Sequence, residues 1–139
     1  MTVSKTVSVL VDGRVMINPA GRDYAGMTQG VGVGSLTFIS GQVSTAPDGS
    51  VVGAGDAGAQ AKQCFDNLAG VLAERGTGLS QVVKLTCYLT DAEHYGAYAA
   101  AKNAVFPADP PASTTVIVSG LLYPELLMEI EAIAIYDGD

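Results

Sequence analysis

The stretch Gln81-Val82-Val83-Lys84-Leu85-Thr86-Cys87-Tyr88-Leu89-Thr90-Asp91-Ala92-Glu93 sets the architecture, because its period changes partway along. Val83, Leu85, Cys87 and Leu89 alternate with Lys84, Thr86 and Tyr88, which gives a strand with one apolar and one mixed face. Thr90-Asp91-Ala92-Glu93 then has capping-box form, with Thr90 as N-cap and Glu93 three residues on. A helix follows to about Phe106 and is closed by Pro107.

The same logic extends outward. Upstream, Ala54–Arg75 is expected as a helix, with Asp56 as a cap. Ala61, Cys64, Phe65, Leu68, Ala69 and Leu72 fall on one face, and Gly76 and Gly78 end it. Val31–Gln42 reads as one strand ending in Ser40-Gly41-Gln42, followed by a turn at Asp48-Gly49. Val3, Val7, Val9 and Val11 give an N-terminal strand. Asp12-Gly13 supplies a hairpin, and Arg14–Ile17 the return. Asn18–Gly30 is a long Gly, Pro and Asp loop of the kind that more often serves function than not. Downstream, Ser113–Val118 and Leu126–Tyr136 are the last strands. The expected fold is one α+β domain over residues 1–139, a mostly antiparallel sheet with both helices packed on one face. Its other face, with Lys84, Thr86 and Tyr88 among Thr and Val side chains, is too apolar for water and suggests a second subunit.

Composition narrows the function. At 48% hydrophobic and 15% charged, the chain can bury a core. Its net charge of −7, with scattered basic residues, argues against nucleic acid and anionic membranes. No segment reads as a signal peptide or membrane span, so a soluble, cytoplasmic protein is expected. Cys64 and Cys87 lack metal-ligand spacing and read as buried, reduced thiols; no metal or cofactor is expected. Gly30–Gly34 enters a strand, whereas a phosphate loop opens onto a helix, so it reads as a turn and strand entry. His94, the single histidine, reads as a surface residue near a helix start.

Two segments carry candidate chemistry. Glu129 and Glu131 alternate with Met128, Ile130 and Ala132, so both carboxylates share a face with Leu127, Ile133 and Ile135. Such a carboxylate either has a raised pKa suited to acid–base work or pairs with Lys84 from an opposite-looking face of another strand. Pro110-Pro111-Ala112-Ser113-Thr114-Thr115-Val116 lines up three hydroxyls where a stiff loop enters a strand. They either cap that entry or line a small-molecule pocket.

Together these residues resemble the RidA/YjgF (Rid, L-PSP) superfamily over nearly the whole chain. The resemblance rests on Gln29-Gly30, Phe38-Ile39-Ser40-Gly41-Gln42, Gln60-Ala61-Lys62-Gln63 with Asp66-Asn67-Leu68, Val82–Thr86, Pro111–Val116 and Glu129–Ala134. It implies a chorismate-mutase-like (bacillus type) α+β fold, closed as a homotrimeric barrel with sites in clefts between subunits. It also implies hydrolysis of small imines or enamines without a cofactor. Family members clamp a substrate carboxylate with an arginine, and here that position is Ser113. Glu129 matches the glutamate that positions water, and Ser40-Gly41 matches the carbonyl-polarising region. Met27 stands where an aromatic residue is usual, with Tyr24 close by. Arg22 is a candidate substitute anchor. The expected site is therefore Glu129 as the catalytic residue, with Ser113, Thr114, Thr115, Gly41, Ser40, Met27, Tyr24 and Arg22 binding substrate. Without the arginine, the 2-aminoacrylate reaction is not the expected one. The alternative is a non-catalytic metabolite-binding or accessory protein using the same cleft. The family's association with ribonuclease activity sits poorly with a chain this acidic that holds one histidine.

Overall fold

The computed structural model describes residues 6–138, so Val3 of the expected first strand lies outside the described residues. The elements are β1 (Val7–Val9), β2 (Val15–Ile17), β3 (Gly30–Val33), β4 (Leu36–Val43), α1 (Ala57–Glu74), β5 (Val82–Leu89), α2 (Tyr95–Val105), β6 (Ala112–Ile117) and β7 (Met128–Ile135). They form one sheet in the order β1-β2-β3-β4-β7-β5-β6. Every neighbouring pair is antiparallel except β5 and β6, which α2 joins as a crossover.

Alternation explains the layering. Met128, Ile130, Ala132 and Ala134 of β7 are buried, as are Leu85, Cys87 and Leu89 of β5. They face Phe65, Leu68 and Leu72 of α1 and Tyr98 of α2 in one core. The Phe65 ring stacks on Tyr98 at 6.1 Å between centroids and meets Phe106 edge-on at 5.9 Å. Both helices thus cover one face of the sheet. No helix among the described residues is long and apolar enough to cross a membrane.

Three local expectations are corrected. Val31–Gln42 is not one strand but the hairpin β3–β4, because Gly34 takes φ +56° and the chain reverses there. The cap before α2 is Asp91, not Thr90. Asp91 Oδ1 accepts from the Glu93 N–H at 2.8 Å and opens a 3-10 turn over Ala92–His94, while the Thr90 hydroxyl turns to the Leu127 carbonyl. Val83 does not point inward: the register slips between Val82 and Lys84, leaving Val82 buried and Val83 exposed.

The uncovered face has a clear order. Val43, Glu129, Tyr88 and Val116 occupy one cross-strand row, and Glu131, Thr86 and Thr114 the next. Phe38, Ile133 and Lys84 follow. Lys84 therefore shares a face with both glutamates, contrary to the expectation of opposite faces.

Candidate functional site

The site starts from a β-bulge in β4. Pairing with β7 runs through Ile39–Ala132 and resumes at Gln42–Ile130, so Ser40 and Gly41 are squeezed in opposite Glu131. Buried amides hold this shape. Gln42 Nε2 donates to Gln29 Oε1 at 2.9 Å and to the Ser40 carbonyl at 3.0 Å. Ser40 Oγ donates to the Thr28 carbonyl, and Ser40 N–H to the Gln29 carbonyl. Gln29, Ser40 and Gln42 thus each have partners, which fixes the long Asn18–Gly30 loop against the bulge.

Gly41 leaves a gap that Glu129 fills. A Cβ built on Gly41 would lie 2.0 Å from Glu129 Oε1. The carboxylate therefore rests directly on the Gly41 backbone, a position only glycine permits. Burial pushes the Glu129 pKa up, and the neighbouring Glu131 charge adds to the rise. Glu131 Oε1 accepts a short hydrogen bond from the Tyr88 hydroxyl, and that bond is the main reason the Tyr88 pKa is raised. Gly41, Tyr88, Glu129, Glu131, Val118 and Gly120 line a cavity of roughly 280 Å³. Lys84 pairs with neither glutamate; its Nζ donates to Thr114 Oγ1 at 2.7 Å.

A second cavity of roughly 290 Å³ lies across the Val43–Glu129 pair. Tyr24, Met27, Val43, Thr45, Leu122, Tyr123 and Leu126 line it. Its walls are tied to α1. Asn67 Nδ2 donates to the Val43 and Thr45 carbonyls at 2.9 and 3.1 Å. Gln60 donates to the Glu125 carbonyl at 2.9 Å and accepts from the Leu127 N–H at 2.9 Å, pinning the chain where it enters β7.

Of the residues singled out from the sequence, Gly41 and Glu129 share the first cavity, and Tyr24 and Met27 share the second. Arg22 lines neither cavity; its Nη2 donates to the Thr45 carbonyl at 2.9 Å and ties the loop down. Ser40 faces Thr28. Ser113 and Thr115 pair with Leu85 and Cys87 in register, on the helix-covered face, while Thr114 lies on the face of the glutamates. The Tyr98 hydroxyl, fully buried, makes no hydrogen bond among the described residues; Cys87 and Thr115 are its polar neighbours. Burial pushes the Cys87 thiol up to about 12 and raises Cys64 as well, so neither offers a thiolate near neutral pH. His94 sits in the 3-10 turn before α2, away from both cavities. Among the described residues no group of three or more His, Cys, Asp or Glu converges as metal ligands.

Tyr88, Leu122 and Tyr123 escaped the sequence-based site. Tyr88 was visible only as part of a mixed strand face. The run Leu121-Leu122-Tyr123 was a usable signal, an apolar cluster in a loop, and Leu122 is 85% exposed.

Comparison with known proteins fits this geometry. The sequence model of the family described as endoribonuclease L-PSP matches residues 20–136. A RutC family protein of Pyrococcus abyssi is 34% identical over 107 residues, covering 77% of this chain and 84% of its own length. Protein DfrA of Myxococcus xanthus is 38% identical over 105 residues, covering 76% of this chain and 79% of its own. Among solved structures, the YjgF gene product of E. coli superposes with a TM-score of 0.75 at 32% identity, covering 85% of this chain and 92% of that one. E. coli TdcF, solved with bound serine, gives a TM-score of 0.76 at 27% identity, covering 86% of this chain and 94% of that one. The expected α+β fold, a mostly antiparallel sheet with both helices on one face, is the fold observed and the fold these structures share. On the extent of the family match and of these likenesses, the chain belongs to the RidA/YjgF superfamily.

Proposed function

We propose that the chain hydrolyses a small imine or enamine, using a water activated by Glu129. The observation that carries this reading is the raised-pKa carboxylate of Glu129 lying on the Gly41 backbone at the edge of a cavity. A carboxylate held partly out of water is a better base near neutral pH than an ordinary one. Glu129 takes a proton from water as its oxygen bonds to the imine carbon, and the C=N π electrons move to nitrogen. Glu129 returns that proton to the nitrogen to give the carbinolamine; the hydroxyl proton then passes to the same nitrogen by way of Glu129 as the C–N bond breaks, a carbonyl forms and ammonia leaves. The Gly41 backbone holds the neutral end of the substrate, with the hydroxyl of Thr114, the β6 hydroxyl on the face of the glutamates, as its partner; Ser113 and Thr115 lie on the other face and are left out of this role. In the assembled protein the open sheet face packs against other copies as a cytoplasmic homotrimer, which brings Thr114 of one subunit toward a shared cleft. Ser113 lacks the planar fork of an arginine, and losing such a contact costs about 2–5 kcal/mol. The 2-aminoacrylate reaction is therefore not the one assigned.

Glu129→Gln tests this directly. It keeps shape and removes the base, so turnover of any imine substrate falls about 10²–10⁴-fold while the fold is unchanged by circular dichroism. A fully active variant sinks the proposal. One observation favours a second reading, binding without turnover: the similar E. coli TdcF holds serine in its solved structure. A metabolite that raises the melting temperature of the wild-type protein, with no imine hydrolysed, selects that reading.

A further inference from the structure

Glu129 and Glu131 leave the same face of β7, yet different strands hold them. β7 lies between β4 and β5. Glu129 leans toward β4, where its carboxylate and Cγ lie against Gly41. Glu131 leans toward β5, where its Oε1 accepts from the Tyr88 hydroxyl. Tyr88 is the cross-strand partner of Glu129, whereas the partner of Glu131 is Thr86. The Tyr88 side chain therefore reaches one row along the sheet and takes up the second carboxylate, not the one beside it.

Two carboxylates at alternate positions on one strand face, free to turn, draw together around a shared proton, and each then carries that proton part of the time. A hydroxyl donor works against this, because it favours the ionised form of the oxygen it bonds. Lys84 of β5 acts in the same sense. It keeps its charge while donating to the Thr114 hydroxyl, and it lines a cavity together with Glu131. The neighbouring strands β4 and β6 contribute no titratable side chain to this face. The raised pKa of Glu129, from burial first and from the Glu131 charge second, agrees with a charged Glu131 beside it.

We infer that Tyr88 is a positioning residue: its hydroxyl draws Glu131 toward β5 and holds it as the charged neighbour, so that Glu129, seated on Gly41, is the one carboxylate of the pair that takes and returns the proton. For its chemical use this rests on the hydrolytic reading above; the division of the pair does not.

The test is a titration of the full chain with glutamate carrying carbon-13 at the side-chain carboxyl, the two signals identified from Glu129→Gln and Glu131→Gln. Groups that a neighbouring copy brings to this face are common to parent and variants, so the comparison isolates Tyr88. Tyr88→Phe removes one oxygen from a half-buried side chain on the open face, and light scattering checks that assembly matches the parent. In the parent, the Glu129 signal is expected to follow one single-proton step. In Tyr88→Phe both signals are expected to move together over a broader range, with the Glu129 midpoint lower by about half a pH unit. The sign follows from the charge: once Glu131 bears part of the proton, it opposes the ionisation of Glu129 less. Glu131→Gln is expected to lower that midpoint at least as far and to keep the single-proton slope. Tyr88→Phe added to Glu131→Gln is expected to move it no further. A second probe needs no change at Tyr88. Its hydroxyl, raised chiefly by the bond to Glu131, is expected to titrate at lower pH in Glu131→Gln.

A Glu129 midpoint indifferent to Tyr88→Phe overturns the inference. So does an equal shift with Glu131 already replaced, or a Tyr88 titration indifferent to Glu131→Gln. Turnover separates this from the reading beneath. Imine hydrolysis lost in Glu129→Gln, with the titrations indifferent to Tyr88, overturns the division of the pair and leaves hydrolysis standing. The expected titrations in a protein that hydrolyses no imine overturn hydrolysis and leave the division standing.

Discussion

On the proposed hydrolysis, Glu129 is expected to couple pH to both activity and stability. Burial and the Glu131 charge raise its pKa above the ordinary 4.5. The catalytic base must be ionised, so the acid limb of kcat/KM is expected to fall at a pH above 4.5, and a limb at or below that value contradicts the role. Stability runs the other way. The native state keeps this proton over a range where the unfolded chain has lost it, so the contribution of Glu129 is fully present below the unfolded pKa and fades as pH rises through the folded one. Glu129→Gln is therefore expected to unfold at higher urea than the parent at pH 8, with the gap closing below pH 4.5. Gly41→Ala isolates position from charge. Its φ is unstrained, but the added methyl meets the Glu129 side chain from its carboxylate back to Cγ at 2.9 Å, so that side chain must turn aside and stability should fall by about 1–3 kcal/mol. Glu129 has to swing off the bulge, and turnover should fall tenfold or more, about 1.4 kcal/mol in the barrier. Unchanged turnover means the Gly41 contact has no catalytic use.

At the scale of elements, one arginine holds a hairpin to a helix end. Arg75 at the end of α1 donates to the Leu36 and Gly34 carbonyls at 2.8 and 3.0 Å and to Thr37 Oγ1 at 2.8 Å. Its guanidinium also stacks on Tyr136, 3.7 Å from the ring centroid. A Cβ on Gly32 would intrude 2.5 Å from Cζ, so β3 needs glycine there to admit the fork. Arg75→Ala is expected to cost about 1–3 kcal/mol in urea unfolding, and Arg75→Lys to recover less than half, since an ammonium lacks the planar fork. Both helices and most strands were legible because burial on one face imposes a period on the sequence. The β3–β4 hairpin was not, since Val31–Gln42 stays apolar through the reversal and only Gly34-Ser35 marks it. The α2 cap was misplaced by one residue, because Thr90 and Asp91 both suit a cap and the choice depends on Leu127, a strand away. Glu129 was legible from alternation. Its seat on Gly41 was not, because that contact needs a bulge and a pairing across 88 positions of chain.

The whole molecule is closed by its last strand. β7 lies between β4 and β5, so the sheet centre is filled only when the C-terminal strand arrives. Long-range closure of this kind predicts slower folding than the helix content alone suggests. The face that β7 shares with Phe38, Ile133 and Tyr88 is the expected contact between copies. Ile133→Glu puts a charge on that face without touching the core, where Ala132 and Ala134 point. Light scattering after size exclusion is expected to show loss of the proposed trimer with the circular dichroism spectrum kept. A monomeric parent protein, or a variant that assembles normally, rules out this face as the interface.

The Gln60 side chain grips the chain at Glu125 and Leu127, on the near side of β7. Everything between Val118 and that grip is a cassette with fixed ends. Its inner flank borders the carboxylates and its outer flank, Leu122 and Tyr123, walls the apolar chamber. The end of the molecule that holds Glu129 is built on paired strands and on a glycine whose added methyl would displace that carboxylate, so it resists tinkering. The cassette can be exchanged for a longer, shorter or more polar one without loosening either anchor. Retuning what this protein accepts is therefore a problem of loop grafting, with the base left where it is.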